Sequence, residues 1–388
     1  MNESDPPVKR RLRIAVLNRQ FTATGGGAER YSMALVEHLA SQHEIHVFAQ
    51  QIAHSWPGVT YHRVCQPLQR PRWLNQLWYA TATWWATRAG FDVVHSHENT
   101  WHGQVQTVHV LPIKYKLFAG LRGLAWGLRW LKVLTSPRWL VYLALERSRF
   151  SLTSQRTIVL ASPSLIPQTL AAYPHCTQAI KVVTPGVDQI HGIATTLQKS
   201  ESRMRLGLPQ RGYCILFVGN DYQKKGLETL IHALKKLPDC AYLAVVGNPA
   251  QVSRFKRQAV AQGLADRVHF LGSIQDITPA YKSADCLAHP TLEDTFAMTV
   301  LEAMSYGLPV VVSGEKYCGI SGLLVHETHA LLLDDPQDDR ELARLIGRVL
   351  SEPDLRLKLH TSALAFARQH LWSSVARQQE DIYLEPDR

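Results

Sequence analysis

The feature that most constrains this chain is an alternation, made twice, of short apolar runs with helical patterns. Arg13-Ile-Ala-Val-Leu-Asn18 opens the first series, and runs at 45–49, 92–97, 104–110, 157–161 and 181–184 continue it. The turn Thr184-Pro185-Gly186-Val187-Asp188 closes that series. A polar, weakly periodic tract over 189–202 follows and reads as a linker. The alternation then restarts with runs at 214–218, 241–246, 268–271, 286–289 and 310–312, separated by helical patterns that include 225–236, 249–262 and 296–306. Alternation of this kind predicts an α/β fold whose parallel sheets are covered on both faces. A length of 388 residues exceeds one ordinary core. The expectation is two Rossmann-like, doubly wound domains facing across a cleft, over 1–188 and 189–370, with a helix at 371–384 crossing back to the first. Ligands of such sheets bind beyond the carboxyl ends of the strands, and the motifs below fall there.

Charge divides the same two halves. Up to Val187 there are 20 Lys and Arg against 8 Asp and Glu, and afterwards 22 against 24. No acid lies between Glu44 and Asp92 or between Glu98 and Glu146, and nine of the ten tryptophans fall in this half. A basic face with interfacial aromatics fits an anionic membrane surface or a nucleic acid. No recognised nucleic-acid motif accompanies the charge, so nucleic acid is not the expected partner. The segment with Lys114, Lys116, Arg122, Trp126, Arg129, Trp130 and Lys132 interleaves cations with apolar residues and has the composition of an interfacial segment. It also fits a buried helix pair with solvated cationic heads. No apolar run is long enough for a membrane span. The run at 14–17 is too short for a signal-peptide core. Six scattered cysteines without CxxC spacing fit a reduced cytosol better than a disulfide framework.

Four motifs carry chemistry. Gly25-Gly26-Gly27 follows the first strand, where glycine lets a backbone approach a ligand; an ordinary strand–helix turn reads the same way. Val218-Gly219-Asn220-Asp221-Tyr222-Gln223-Lys224-Lys225-Gly226 places two mobile cations between a strand and an amphipathic helix, suited to phosphate oxygens or merely solvated. His289-Pro290-Thr291-Leu292-Glu293-Asp294 leads into a helix carrying Glu302, with Thr295 as its expected cap and Gly307 past its end. The unpaired amides and positive dipole end of that helix suit a diphosphate. Thr107-Val108-His109 ends a strand, and His95 and His97 compete with His109 for any role.

The acidic and lysine motifs together resemble those of the retaining glycosyltransferases of family 4, with Asp294 standing where the family usually has its first Glu and Glu302 as the second. Matches run from Gly25 to about Leu332. The likeness is strongest to the members that glucosylate the inner-core heptose of lipopolysaccharide. It rests on Val218-Gly219-Asn220-Asp221, His289-Pro290, Leu134-Thr135-Ser136, Glu146-Arg147 and the Thr184-Pro185-Gly186 turn. The resemblance implies a GT-B fold and a hexosyltransferase that uses a UDP-sugar, UDP-glucose being expected, without metal or other cofactor. The acceptor would be a lipid-linked glycan of the lipopolysaccharide core, and the enzyme a peripheral one on the cytoplasmic face of the inner membrane.

The resemblance also implies roles. His109, Asp294 and Lys225 would be catalytic. Gly26, Gly27, Asn220, Lys224, Lys225, Phe296, Ala297, Met298, Val300 and Glu302 would bind the donor. Phe296-Ala297-Met298-Thr299 departs from those relatives around the sugar, which leaves the hexose open. Asn220 replaces a usual Arg, and Lys224 is expected to supply that charge. A GT-B sugar-nucleotide epimerase or hydrolase, a non-catalytic basic membrane-binding protein and a nucleic-acid binder remain open alternatives.

Overall fold

The computed structural model describes residues 10–22, 27–151 and 156–385. They form two compact units. One holds the chain up to Ala161, Leu165–Thr184 and the chain from Trp372 onward; the other holds Ser162–Ser164 and Pro185–Leu371.

The first unit is built on strands β1 (Arg13–Leu17), β2 (Glu44–Ala49), β3 (Val59–Arg63), β4 (Val93–Ser96), β5 (Val105–Val108), β6 (Thr157–Leu160) and β7 (Ile180–Val182). They pair in parallel in the order β3-β2-β1-β4-β5-β6-β7. The second unit repeats the plan with β8 (Tyr213–Val218), β9 (Ala241–Val246), β10 (Val268–Gly272), β11 (Cys286–His289), β12 (Val310–Ser313) and β13 (Leu331–Leu333). Their order is β10-β9-β8-β11-β12-β13, again parallel. In both sheets the order reverses beside the first strand, between β1 and β4 and between β8 and β11. This is the switch point at which open α/β sheets open a crevice for ligands.

Alternation along β8 shows why both faces are covered. Cys214, Leu216 and Val218 enter one apolar core, while Ile215 and Phe217 enter the other. Complete burial of a side chain such as Phe217 is worth about 1.5–3 kcal/mol. Within these two sheets, the two strands that the alternation did not predict, β3 and β13, lie at the edges, and β13 has only three residues.

The expected linker is partly a helix. Thr195 and Gln198 form a capping box, and Thr196–Arg205 is helical. Its Arg203 is buried and donates to Asp285 at 2.8 Å and to the Ser283 carbonyl at 3.0 Å. The last helix, Trp372–Tyr383, packs on the helix Gly27–Leu39 in the first unit. Trp372 meets Tyr31 edge-on at 5.4 Å, and the buried Glu380 lies 3.4 Å from His43. Among the described residues no helix is long and apolar enough to cross a membrane.

Candidate active site

The second unit gathers its chemistry where β8 and β11 end. The loop after β8 is stitched to the loop after β11: the Lys224 carbonyl accepts from the Leu292 amide at 2.8 Å and from the Thr291 hydroxyl at 3.3 Å. Gly226, at φ 78°, makes this approach possible, because a Cβ there would sit 1.8 Å from the Pro290 carbonyl oxygen. Gly219 clears the path of Lys225, whose Cγ would be 3.0 Å from an added Cβ.

Lys225 therefore reaches across to the Asp294 carboxylate and donates to it, with the Glu293 carbonyl a further acceptor at 3.4 Å. His289, 1% exposed at the end of β11, donates from Nε2 to the same carboxylate at 3.1 Å. Its Nδ1 is buried and has no partner among the described residues. The other Asp294 oxygen accepts from the amides of Ala297 at 3.0 Å and Phe296 at 3.4 Å. Burial pushes the Asp294 carboxyl upward, but the His289 hydrogen bond and the Lys225 ammonium outweigh it and hold the group far below the usual carboxylate range. Asp294 is thus a fixed anion. Lys224 is half-exposed and pairs with Glu293 at 3.2 Å, and Asn220 is exposed.

The helix that follows runs over Met298–Ser305, two residues shorter at its start than expected. Ala297 adopts a left-handed conformation, φ 68° and ψ 69°, so the helix cannot begin earlier. Three sequence expectations are corrected here. Thr295 is not the cap; the Asp294 carboxylate takes up the first amides. The amides of Phe296 and Ala297 are therefore already spent. Val300 is fully buried in the core, and its amide donates to the Ala297 carbonyl at 3.0 Å. Only Met298 and Thr299 present amides that meet no acceptor among the described residues. The Thr299 hydroxyl is likewise buried without a described partner.

Glu302 lies on the same helix and accepts from the Tyr281 hydroxyl at 2.7 Å. Tyr281 is 1% exposed and stacks on Tyr306, which stacks on His191. Sequence reading assigned no role to His289, Tyr281 or Thr299. His289 had a signal, its place at the switch-point strand end five residues before Asp294. Tyr281 had none, since its contact with Glu302 depends on how two helices pack.

In the first unit the three candidate histidines separate. His95 is fully buried and bonded at both nitrogens, to the Tyr383 and Thr107 hydroxyls at 2.6 Å each, which makes it structural. His97 Nδ1 and His109 Nε2 are 3.0 Å apart, and Tyr31 meets the His109 ring edge-on. Burial and the Arg149 guanidinium lower His109 to about 3, and burial holds His97 well below its ordinary value. Both rings are neutral, so one donates its N–H to the other. Arg149 is buried and donates to the Thr107 carbonyl; desolvation lowers it to about 10. Gly27 is the exposed first residue of its helix, and Gly26 lies outside the described residues.

The cationic segment forms the helices Ile113–Phe118, Gly123–Leu134 and Pro137–Arg149. In the middle helix only Val133 is buried. Leu124 is 81% exposed, and Trp126, Leu128, Leu131 and Leu134 are also exposed. Arg122, Lys116 and Lys132 are exposed, Arg129 is half-buried, and Trp130 packs inward on Phe118 at 4.8 Å. Lys114 is also exposed; its ammonium donates to the Ala172 carbonyl at 2.6 Å and lies over the Tyr173 ring. Among the described residues no cluster of His, Cys, Asp and Glu is placed to hold a metal ion.

Residues 198–365 match the family described as Glycosyl transferases group 1, and residues 25–189 match Glycosyltransferase Family 4. A D-inositol 3-phosphate glycosyltransferase of Salinispora tropica is 30% identical over 224 residues, covering 53% of this chain and 46% of that relative. The chain thus spans about half the length of such relatives. The lipopolysaccharide glucosyltransferase WaaG of Escherichia coli is 24% identical over 253 residues, covering 64% of this chain and 67% of WaaG. Among solved structures, WaaG superposes with a TM-score of 0.79 at 20% identity, covering 96% of this chain and all of that one. Anabaena HepE in complex with UDP and glucose superposes at 0.72 with 18% identity, over 96% and 99%. These likenesses establish the fold.

Proposed function

Because the chain belongs to glycosyltransferase family 4, with the GT-B fold, we propose that it moves a hexose from a UDP-sugar to a lipid-linked glycan with retention at the anomeric carbon. Glucose is the proposed hexose and the lipopolysaccharide core the proposed acceptor. The observation that carries this reading is the Lys225–Asp294–His289 cluster beside the two unspent amides of Met298 and Thr299.

As the glycosidic bond breaks, negative charge develops on the departing diphosphate. Preorganised donors aimed at that charge lower the barrier. Lys225 has three N–H donors and spends two of them, on Asp294 and the Glu293 carbonyl, in the present state. A bound diphosphate becomes a further acceptor for it, with Lys224 and the two helix amides completing the cradle. Gly26 and Gly27 are assigned to the same diphosphate, and Asn220 to the donor at the β8 loop. Asp294 is held ionised and so faces the positive charge that grows on the sugar. Glu302, fixed by Tyr281, accepts from the ribose hydroxyls. Neutral His109 offers the sugar a hydrogen bond without a competing charge. No metal enters this scheme, and the leaving phosphate itself receives the acceptor proton.

The exposed face of Gly123–Leu134, flanked by Arg122, Lys132 and Lys116, is assigned to an anionic membrane surface on the cytoplasmic side. HepE, which is described with UDP and glucose bound, supports a UDP-sugar donor, and WaaG supports a lipopolysaccharide acceptor.

The test is transfer of radiolabelled glucose from UDP-glucose to truncated lipopolysaccharide in the presence of a chelator, with the product anomer read by NMR. Labelled lipid of α configuration is expected. Release of free glucose with no lipid product would replace the transferase with a hydrolase, and an inverted product would remove the retaining mechanism. Anionic vesicles should pull the protein down, and equal partition onto neutral vesicles would remove the membrane assignment.

A further inference from the structure

The first unit holds a cavity of about 560 Å³ that none of the proposed roles uses. It lies where β2 and β3 end, so it is on the ligand-binding side of its sheet. Its volume is that of a small-molecule site. Gln50, Gln51, Arg63, Cys65, Gln66 and Gln69 line it.

The wall is built from buried polar contacts. Gln50 and Asn75, 5% and 6% exposed, exchange amide hydrogen bonds of 2.8 and 2.9 Å. The Cys65 carbonyl accepts from Gln50 Nε2 at 3.4 Å and from Trp78 Nε1 at 2.9 Å. Two donors thus fix the loop after β3.

The mouth is unspent. The side chains of Gln51, Gln66 and Gln69 make no hydrogen bond to a described residue, and Arg63 makes no ion pair with one. The sequence has no acid from residue 45 to residue 91, so no carboxylate of this stretch neutralises the guanidinium. Amides offer donors and acceptors together, as sugar hydroxyls require. A guanidinium fork fits phosphate or carboxylate oxygens in bidentate fashion.

We propose that this cavity is a subsite for an anionic sugar, a ring bearing a phosphate or a carboxylate, within the glycan acceptor. The assignment to the acceptor rests on the transferase reading above; the ligand chemistry rests on the cavity alone.

Cys65 is a built-in reporter. It and Cys240 are the exposed thiols, and the other four cysteines are buried. Iodoacetamide labelling of the full chain, read by mass spectrometry at both positions, measures occupancy with Cys240 as the internal control. The probes are glucose 6-phosphate, glucuronate, glucose and inorganic phosphate. At about ten times its Kd, an anionic sugar should slow Cys65 labelling about tenfold and leave Cys240 unchanged. Protection by glucose 6-phosphate or by glucuronate supports the site and says which anion it takes. Arg63→Ala should abolish that protection, and Arg63→Lys should restore part of it.

Equal protection by glucose would overturn the anionic assignment. Equal protection by inorganic phosphate would overturn the sugar assignment, and no protection by either anionic sugar would overturn the site. Should Arg63→Ala fail to fold, Gln69→Ala supplies the second variant, with the same loss expected. Protection of Cys65 in a wild-type protein that turns over no UDP-sugar would leave the subsite standing and sink the transferase reading. Turnover without protection would do the reverse.

Discussion

At the ends of β4 and β5, in the first unit, burial wins over charge: His97 and His109 are held neutral beside the buried Arg149. At the ends of β8 and β11, in the second unit, charge wins over burial: Asp294 stays ionised because Lys225 and His289 answer it. The two units share a strand order, and both sites lie at the carboxyl ends of strands, the second at its switch point and the first one strand beyond. Fold alone therefore does not set the electrostatics; the side chains at the strand ends do. Neutral rings suit the hydroxyls of a sugar, whereas opposed fixed charges suit a ligand that brings and develops charge of its own.

The largest expected effect tests the charged side. Lys225→Met should lower kcat/KM for the sugar nucleotide by about 10²–10³-fold, the usual cost of one oriented donor to developing charge. It should also weaken UDP binding. His109→Gln should slow transfer while leaving UDP affinity near wild type. Isothermal titration with UDP separates the two. If His109→Gln lost UDP affinity as severely as Lys225→Met, the division of labour between the units would fail.

Stability against pH sharpens the same contrast. Burial and Arg149 lower His109 to about 3 in the folded chain against 6.5 unfolded, and burial is the main cause that lowers His102 to about 4. As pH falls below about 6.5 the unfolded chain takes up these protons first. The first unit should therefore lose stability from pH 6.5 down towards 3. Asp294 is also depressed, but from a carboxylate's ordinary value, so its contribution is complete above the carboxylate range and is lost only as pH falls below it. Hydrogen exchange at pH 5 should loosen the first unit before the second. His109→Gln should flatten the decline by about 2 kcal/mol, allowing for the partial exposure of the ring. Loosening of both units together would count against the contrast.

A smaller effect concerns how Glu302 is held. Removing the Tyr281 hydroxyl takes away one hydrogen bond to a carboxylate, about 1.5–3 kcal/mol, or roughly ten- to a hundredfold in donor KM. Tyr281→Phe should also narrow the preference for UDP over 2′-deoxy-UDP, which a merely structural tyrosine would leave unchanged.

The sequence was legible where a pattern is local. Central strands such as β8 and β11 are continuous apolar runs because helices cover both faces, so they announce themselves. The edge strand β3, Val-Thr-Tyr-His-Arg, buries little and carries no such run. The helix Thr196–Arg205 was read as linker because its tract is polar, although Thr195 and Gln198 form a capping box at its start. The contact of Lys225 with Asp294 could not be read from spacing, because it depends on two loops 69 residues apart meeting over Gly226. The cap was misplaced for a related reason. Thr295 is the usual residue type, but the Asp294 carboxylate, already anchored by Lys225 and His289, is positioned to take the amides instead.

The smallest expected effect is at Ala297, where the start of that helix depends on a left-handed alanine. This conformation costs an L-residue roughly 1–2 kcal/mol. Ala297→Gly would relieve it, yet it would also remove a buried methyl group worth about 0.8 kcal/mol. It would further free the unfolded chain, at a cost of about 0.4–1 kcal/mol. The three effects nearly cancel, so the thermal midpoint should barely move. Gly226 has a similar backbone angle but no room for a Cβ, so Gly226→Ala should be far more damaging. A clear loss of stability in Ala297→Gly would mean that the methyl contact, not the strain, decides how the diphosphate end of this helix is held.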